Sequence, residues 1–121
     1  MGLFSFGTKK SSLDWNKITT ADELHHFLNE VENPVLFFKH STRCSISSMV
    51  LSRLESDWKT EDVTCELVFI DLIAYRTVSN LLSEITGVEH QSPQAILWKN
   101  GKVVHHASHN GIRFEMIKEN L

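Results

Sequence analysis

Cys44 is the residue of this sequence whose type and position are best suited to chemistry. It follows an almost continuous apolar run, residues 35–40, that is typical of a strand covered on both faces, and it precedes apolar residues at helical spacing over 46–58. The thiol is therefore expected at the start of a helix, where unpaired backbone N–H groups and the positive end of the helix dipole favour the thiolate. Arg43 adds a positive charge beside it. We predict a sulfur that both attacks disulfides and leaves them readily.

The neighbours of Cys44 bear on whether it is reactive or structural. Free cysteine is often a small buried hydrophobe, and that is the alternative interpretation here. Serine and threonine dominate residues 41–48, however, so we expect the outer edge of this turn to be wet and favour the reactive interpretation. Position 47 is Ser, so no C-x-x-C disulfide can close. Any exchange must pass through a mixed disulfide that is resolved by another molecule or by Cys65.

The second cysteine, Cys65, lies at the beginning of another apolar run, residues 65–72. If both runs are parallel strands, this residue is at the opposite end of the sheet from Cys44. We therefore expect Cys65 to be a buried core residue, with a resolving role as the alternative.

Histidine is the other residue type that could support chemistry. The seven histidines are His25, His26, His40, His90, His105, His106 and His109. Adjacent histidines point apart on a helix or a strand, and no zinc-type spacing occurs, so we expect solvated or hydrogen-bonded surface side chains and no metal site. His109 is the exception, because the turn that contains it should return to the Cys44 end of the sheet. It is either a thiolate partner for Cys44 or an ordinary loop histidine.

Helical and strand patterns alternate along the chain that must position these residues. In the first half they predict a short strand near 15–18, a helix over 21–32, a strand over 35–40 and a helix that follows the capping candidates Ser41 and Thr42. In the second half they predict a strand over 65–72, a helix over 78–85 that Gly87 stops, and a helix over 112–120. Between the last two helices, strands 94–98 and 102–106 are predicted to form a hairpin around Asn100-Gly101. Alternating strands and helices imply a parallel sheet, to which the hairpin adds antiparallel strands. We predict an α/β fold, a three-layer sandwich with a mixed sheet, whose site lies beyond the carboxyl ends of the parallel strands.

Composition limits the remaining possibilities. The 121 residues and the formal net charge of −3 fit one domain, at residues 15–121, after a flexible tail at 1–14. There is no basic stripe for nucleic acid and no apolar stretch near the ~20 residues that span a bilayer. Only two cysteines are present, and the lysines near the start follow the apolar residues, unlike a secretory signal. We therefore expect a cytoplasmic protein.

Two segments carry a family resemblance. Residues 42–47, Thr-Arg-Cys-Ser-Ile-Ser, follow a hydrophobic strand, and residues 91–94, Gln-Ser-Pro-Gln, lead into another. This combination resembles the thioredoxin superfamily, and within it the monothiol bacilliredoxins, over about residues 15–121. The sequence departs from that family's pattern at Ser45, where proline is usual.

The resemblance implies a thioredoxin-like α/β/α sandwich and thiol–disulfide exchange. Cys44 would be catalytic and would take a small thiol, in relatives bacillithiol, from a protein mixed disulfide. Client proteins that carry such a thiol and the free small thiol would be the partners, with no cofactor beyond that co-substrate. The Ser92–Pro93 peptide bond would be cis, and the Ser92 backbone would pair with an extended substrate segment. The substrate-binding residues implied in this way are Thr42, Arg43, Ser45, Ile46, Ser47, Ser92 and Pro93.

Two functions of other classes stay open at this point. A thioredoxin-fold module could grip extended peptides beside Pro93 without turnover. A glutaredoxin-like carrier could instead hold an iron–sulfur cluster with one protein cysteine and an exogenous thiol.

Overall fold

A computed structural model describes residues 13–59 and 63–121. The elements are β1 (Asn16–Lys17), α1 (Ala21–Asn29), β2 (Val35–His40), α2 (Ser45–Asp57), β3 (Glu66–Asp71), α3 (Arg76–Thr86), β4 (Gln94–Lys99), β5 (Lys102–Ser108), a 3-10 turn (His109–Gly111) and α4 (Phe114–Glu119). Residues 1–12 of the predicted tail lie outside the described residues. Leu13, which we placed in that tail, is buried and packs in the core.

The five strands form one mixed sheet in the order β1-β3-β2-β4-β5. β1, β3 and β2 run parallel, whereas β4 is antiparallel to β2 and to β5. The predicted hairpin turn is confirmed, since Asn100 and Gly101 both have positive φ, 55° and 77°, as a two-residue turn of this type requires. The predicted mixed sheet is therefore present, with β2 at its centre.

Helices cover both faces of the sheet, because alternate residues of β2 point to opposite sides. Leu36 and Phe38 pack with α2 and α4, and Val35 and Phe37 pack with α1 and α3. All six residues of β2 are buried. The apolar run predicted this for residues 35–38, whereas the burial of Lys39 and His40 was not predicted. The result is the expected three-layer sandwich.

Two predicted helix boundaries are wrong. α1 ends at Asn29 and not at 32, because the chain must turn before β2 begins, and α4 begins at Phe114 and not at 112, because Arg113 is still extended. The predicted stop of α3 is confirmed, since Gly87 has a φ of 75°. In the described ranges, no helix has the length and apolarity that crossing a membrane requires.

Candidate functional site

Cys44 lies where β2 gives way to α2, at the carboxyl edge of the parallel strands. It is itself the N-cap of α2, and its side chain makes no capping hydrogen bond. Our prediction that Ser41 or Thr42 caps this helix is wrong, because the chain needs three residues to turn out of the strand before the helix begins. The backbone N–H of Cys44 donates to the Ser41 carbonyl at 3.1 Å, which closes that turn. The sulfur is only partly buried and no acidic side chain lies in the first turn of α2, so a negative charge on it meets no nearby carboxylate there.

The outer edge of this turn is open to solvent, as its polar sequence predicted. Thr42, Arg43, Ser45 and Ile46 are all exposed. Ser47 differs from the expected wet edge, because it is fully buried and its hydroxyl is occupied within the protein. The exposed residues are thus placed to meet a molecule that approaches Cys44, whereas the Ser47 side chain faces inward.

Ser47 connects the first turn of α2 to the end of β2. Its Oγ is 2.7 Å from Nδ1 of His40 and accepts a hydrogen bond from the Ser41 backbone N–H at 3.2 Å. Burial lowers the pKa of His40, and with the ring neutral the hydroxyl donates to Nδ1 while the ring proton is on Nε2. This buried pair fixes the helix turn that carries Cys44.

The contribution of His40 was missed from the sequence. We predicted surface histidines, but His40 is 7% exposed and its ring lies 5.3 Å from that of Phe69. Its position in the apolar run 35–40 was the signal that could have indicated burial.

The Ser92–Pro93 peptide bond is cis, as the resemblance implied. Lys39 pairs with Gln94 across β2 and β4, so Pro93 comes beside the end of β2, at the edge where Cys44 lies. The Ser92 hydroxyl is buried without a hydrogen-bond partner within the described ranges. Neither backbone group of Ser92 makes a hydrogen bond to another described residue.

His109 returns to the edge of the sheet where Cys44 lies, because its backbone N–H donates to the Pro93 carbonyl at 3.1 Å. His109 is exposed, and among the described residues no hydrogen bond joins its ring to Cys44. β5, which leads to it, is two strands from β2, about 10 Å at ordinary strand spacing. The structure therefore does not bring His109 and Cys44 together as a bonded pair. Arg53 of α2 secures the segment instead, donating to the carbonyls of Asn110 at 3.3 Å and Ile112 at 2.9 Å.

Cys65 is at the other end of the sheet, as predicted. It precedes Glu66, which pairs with Val35 at the start of β2, so the length of the strand separates it from Cys44, about 17 Å. A disulfide needs Cα atoms within about 7 Å. Burial raises the pKa of the Cys65 thiol from 9.0 to about 12. Both observations favour a structural role over a resolving one.

The remaining histidines belong to no metal-binding group among the described residues. Among residues 13–59 and 63–121, no three or more His, Cys, Asp or Glu side chains are placed to hold a metal ion. His26 of α1 pairs with Glu30, the C-cap of that helix, at 2.8 Å. On β5, His105 is partly buried and His106 exposed, in the expected alternation.

Comparison with known proteins adds a family and a fold. A protein-family model described as monothiol bacilliredoxin BrxC matches residues 16–117. A solved structure of a protein assigned as an oxidoreductase with a thioredoxin fold is similar at a TM-score of 0.77 and 24% identity, covering 88% of this chain and 92% of that one. Thioredoxins from Schistosoma mansoni (TM-score 0.70, 15% identity, 88% and 95% covered) and Trypanosoma brucei brucei (0.68, 13%, 88% and 87%) are also similar. These structures show that the sandwich has the thioredoxin fold.

Proposed function

The chain belongs to the monothiol bacilliredoxin family, a thiol redox family of thioredoxin fold, and we propose that it removes a low-molecular-weight thiol from protein mixed disulfides through Cys44. The Cys44 thiolate attacks the small-thiol sulfur of a protein–S–S–R disulfide. The bond to the client sulfur breaks, and the client leaves as a thiolate that takes up a proton. A second small-thiol molecule, as its thiolate, then attacks the Cys44–S–S–R disulfide, which releases R–S–S–R and regenerates Cys44.

The observation that carries this proposal is the relative position of the Cys44 sulfur, the Ser47 hydroxyl and the Cys65 sulfur. Cys44 is accessible at the N-cap of α2, the Ser47 hydroxyl takes the place of a resolving sulfur, and Cys65 lies at the far end of the sheet. A mixed disulfide on Cys44 therefore has no partner thiol nearby in the chain. Such a site must be discharged by an external thiol, which is the role we assign to bacillithiol as co-substrate.

The surface near Cys44 supports a protein as the source of that thiol. Ile46 and Met49 of α2 are 45% and 65% exposed, and Ile73 and Tyr75, in the loop after β3, are also exposed at this edge. Exposed apolar side chains around a polar centre are typical of protein contact sites. The unpaired backbone groups of Ser92 can add hydrogen bonds to an extended client segment.

The test is the intact mass of the full chain after exposure to bacillithiol disulfide, to glutathione disulfide, or to a test protein that carries bacillithiol on one cysteine. We expect one small-thiol adduct per chain, which is lost when free thiol is added. Cys44→Ser should form no adduct, and the matched control Cys65→Ala should behave as the wild type.

Three results would contradict the proposal. An unchanged mass with all three reagents, an adduct that persists in Cys44→Ser, or a loss of adduct in Cys65→Ala would each be incompatible with exchange at Cys44 alone. If the mass is unchanged but Cys44→Ser still binds extended peptides, the protein is the peptide-binding module considered above. A visible chromophore after anaerobic preparation with iron would indicate the cluster carrier instead.

A further inference from the structure

A lysine is buried in the central strand next to the catalytic turn. Lys39 is the fifth residue of β2 and is 0% exposed, and it faces α3, on the side of the sheet opposite His40. Its Nζ donates to Ser83 Oγ at 2.8 Å and lies 3.2 Å from Nδ1 of His90. No carboxylate pairs with it within the described part of the chain. A buried ammonium group is costly, so two specific hydrogen bonds without a counterion call for an explanation.

The contact with Lys39 favours one protonation state of His90. Ser79 Oγ lies 3.5 Å from the same nitrogen and, as a hydroxyl, can donate to it as well. An ammonium group can only donate hydrogen bonds, so Nδ1 must accept and the ring must be neutral with its proton on Nε2. Burial, followed by the charges of Lys39 and Arg76, lowers the pKa of His90, which acts in the same direction. Burial likewise lowers the pKa of Lys39 to about 8, so Lys39 is still mainly charged at neutral pH.

His90 belongs to the segment between α3 and β4 that ends at cis-Pro93. A second contact holds the same segment, since Gln94, 2% exposed and paired with Lys39 in the sheet, donates from Nε2 to the Glu89 carbonyl at 2.8 Å. Two consecutive residues are thus fixed shortly before Ser92. His90 is only partly buried, and its Nε2 has no partner among the described residues and is not enclosed by them.

We propose that Lys39 is a positioning residue, which holds His90 as the neutral Nε2–H form so that His90 donates a hydrogen bond to an oxygen atom of the small-thiol part of the substrate. The proposal rests on the proposed function and deepens it, because it assigns a recognition group to the same edge. Lys39 is fully buried and contacts Nδ1 of His90, whereas the substrate would meet Nε2 on the other side of the ring. Lys39 therefore acts only through His90 and does not touch the substrate.

The first test is spectroscopic and does not depend on activity. Two-bond ¹H–¹⁵N correlation spectra of the full chain distinguish the Nδ1–H, Nε2–H and charged forms of each histidine ring. We expect only the Nε2–H form of His90 at pH 7.5, and a mixture of both neutral forms in Lys39→Met. The exposed Lys102→Met is the matched control and should leave the His90 signals unchanged. A wild-type His90 with its proton on Nδ1, or an unchanged His90 in Lys39→Met, overturns the proposal.

The second test uses the symmetric disulfide of the small thiol, with no client protein, and measures KM and kcat for Cys44. An amide nitrogen in Gln can occupy roughly the place of Nε2, whereas Asn reaches only the place of Nδ1. We therefore expect His90→Gln to stay near the wild type, while His90→Asn raises KM about tenfold, a loss comparable to one hydrogen bond. In Lys39→Met part of His90 keeps the Nε2–H form, so KM should rise only by the inverse of that fraction, about twofold for an equal mixture. Because Lys39 acts only through His90, adding Lys39→Met to His90→Asn should raise KM no further than His90→Asn does alone.

Iodoacetamide alkylation of Cys44 should proceed at the wild-type rate in all these variants, which separates recognition from damage to the thiol. Equal KM values for His90→Asn and His90→Gln, or an effect seen only with protein disulfides, would overturn the assignment to the small thiol. Since His90 is partly exposed, its two variants keep the test decisive if Lys39→Met fails to fold. A wild type that never reacts with disulfides refutes the proposed function and the substrate contact together, and the spectra still decide the Lys39–His90 link.

Discussion

The buried ammonium of Lys39 should make stability depend on pH in a window set by its pKa. Burial lowers that pKa from 10.5 to about 8. Between these values the unfolded chain binds a proton that the folded chain does not, so the free energy of unfolding rises with pH there. Below pH 8 the full penalty of the buried charge is present. At about 1.4 kcal/mol for each difference of one in pKa, the gain from pH 7 to pH 10.5 is about 3 kcal/mol.

Lys39→Met removes this dependence, and urea unfolding followed by the fluorescence of the three tryptophans measures it. The quantity to compare is the difference in unfolding free energy between wild type and variant at pH 7, 8, 9 and 10.5, because all other groups, including the Cys65 thiol, then cancel. We expect this difference to rise by about 3 kcal/mol in favour of the wild type. For Lys102→Met, at an exposed position, the unfolding free energy should change with pH in the same way as that of the wild type. If the difference in unfolding free energy between the wild type and Lys39→Met stays constant from pH 7 to pH 10.5, the argument that burial destabilises this charge is refuted.

Three further predictions concern the supports of the site and of the fold. Ser47→Ala leaves the His40 ring and a buried backbone N–H without a partner, so it should cost about 1–3 kcal/mol in urea unfolding, whereas the exposed Ser48→Ala should change stability by less than about 0.5 kcal/mol. Gly87→Ala should cost about 1 kcal/mol, because a φ of 75° strains a side chain even though nothing lies within 4 Å of the added Cβ; an unchanged midpoint would contradict this. Cys65, with a pKa of about 12, has about 1000-fold less thiolate than a thiol of pKa 9.0, so mass spectrometry should find it unalkylated by iodoacetamide until the chain is unfolded.

The sequence was sufficient for the features that depend on local pattern. The apolar run 35–40 identified β2, Asn100-Gly101 identified the hairpin, and Gly87 identified the end of α3. In each case the structural feature, a buried strand or a residue with positive φ, depends on residues that are close together in the sequence, so a short segment is enough to predict it. The position of Cys44 followed from the same information, because a strand and a helix with a few residues between them place the joining residue at the sheet edge.

The supports of the site could not be predicted in this way. Lys39 forms hydrogen bonds with Ser83 and His90, which are 44 and 51 positions away. The periodic patterns of the sequence do not indicate which distant side chain will contact a given strand residue. In the sequence, Lys39 is the residue at which an apolar run becomes polar, which equally fits a strand end in solvent. For His40 the run 35–40 could have indicated burial, but not the partner, because Ser47 is a residue of α2 that reaches it only after the chain has turned out of the strand.

The two last residues of β2 link the halves of the site. Because successive side chains of a strand point to opposite faces, Lys39 reaches the segment before cis-Pro93 through His90, while His40 reaches the first turn of α2 through Ser47. Substrate recognition and the thiol are thus supported from adjacent residues of one rigid strand. A shift of β2 by one residue would exchange the two faces, bringing a lysine under the helix and a histidine under the loop. The buried apolar residues before them make that shift costly, so the core that fixes the register of β2 also fixes the relative position of the two parts of the site.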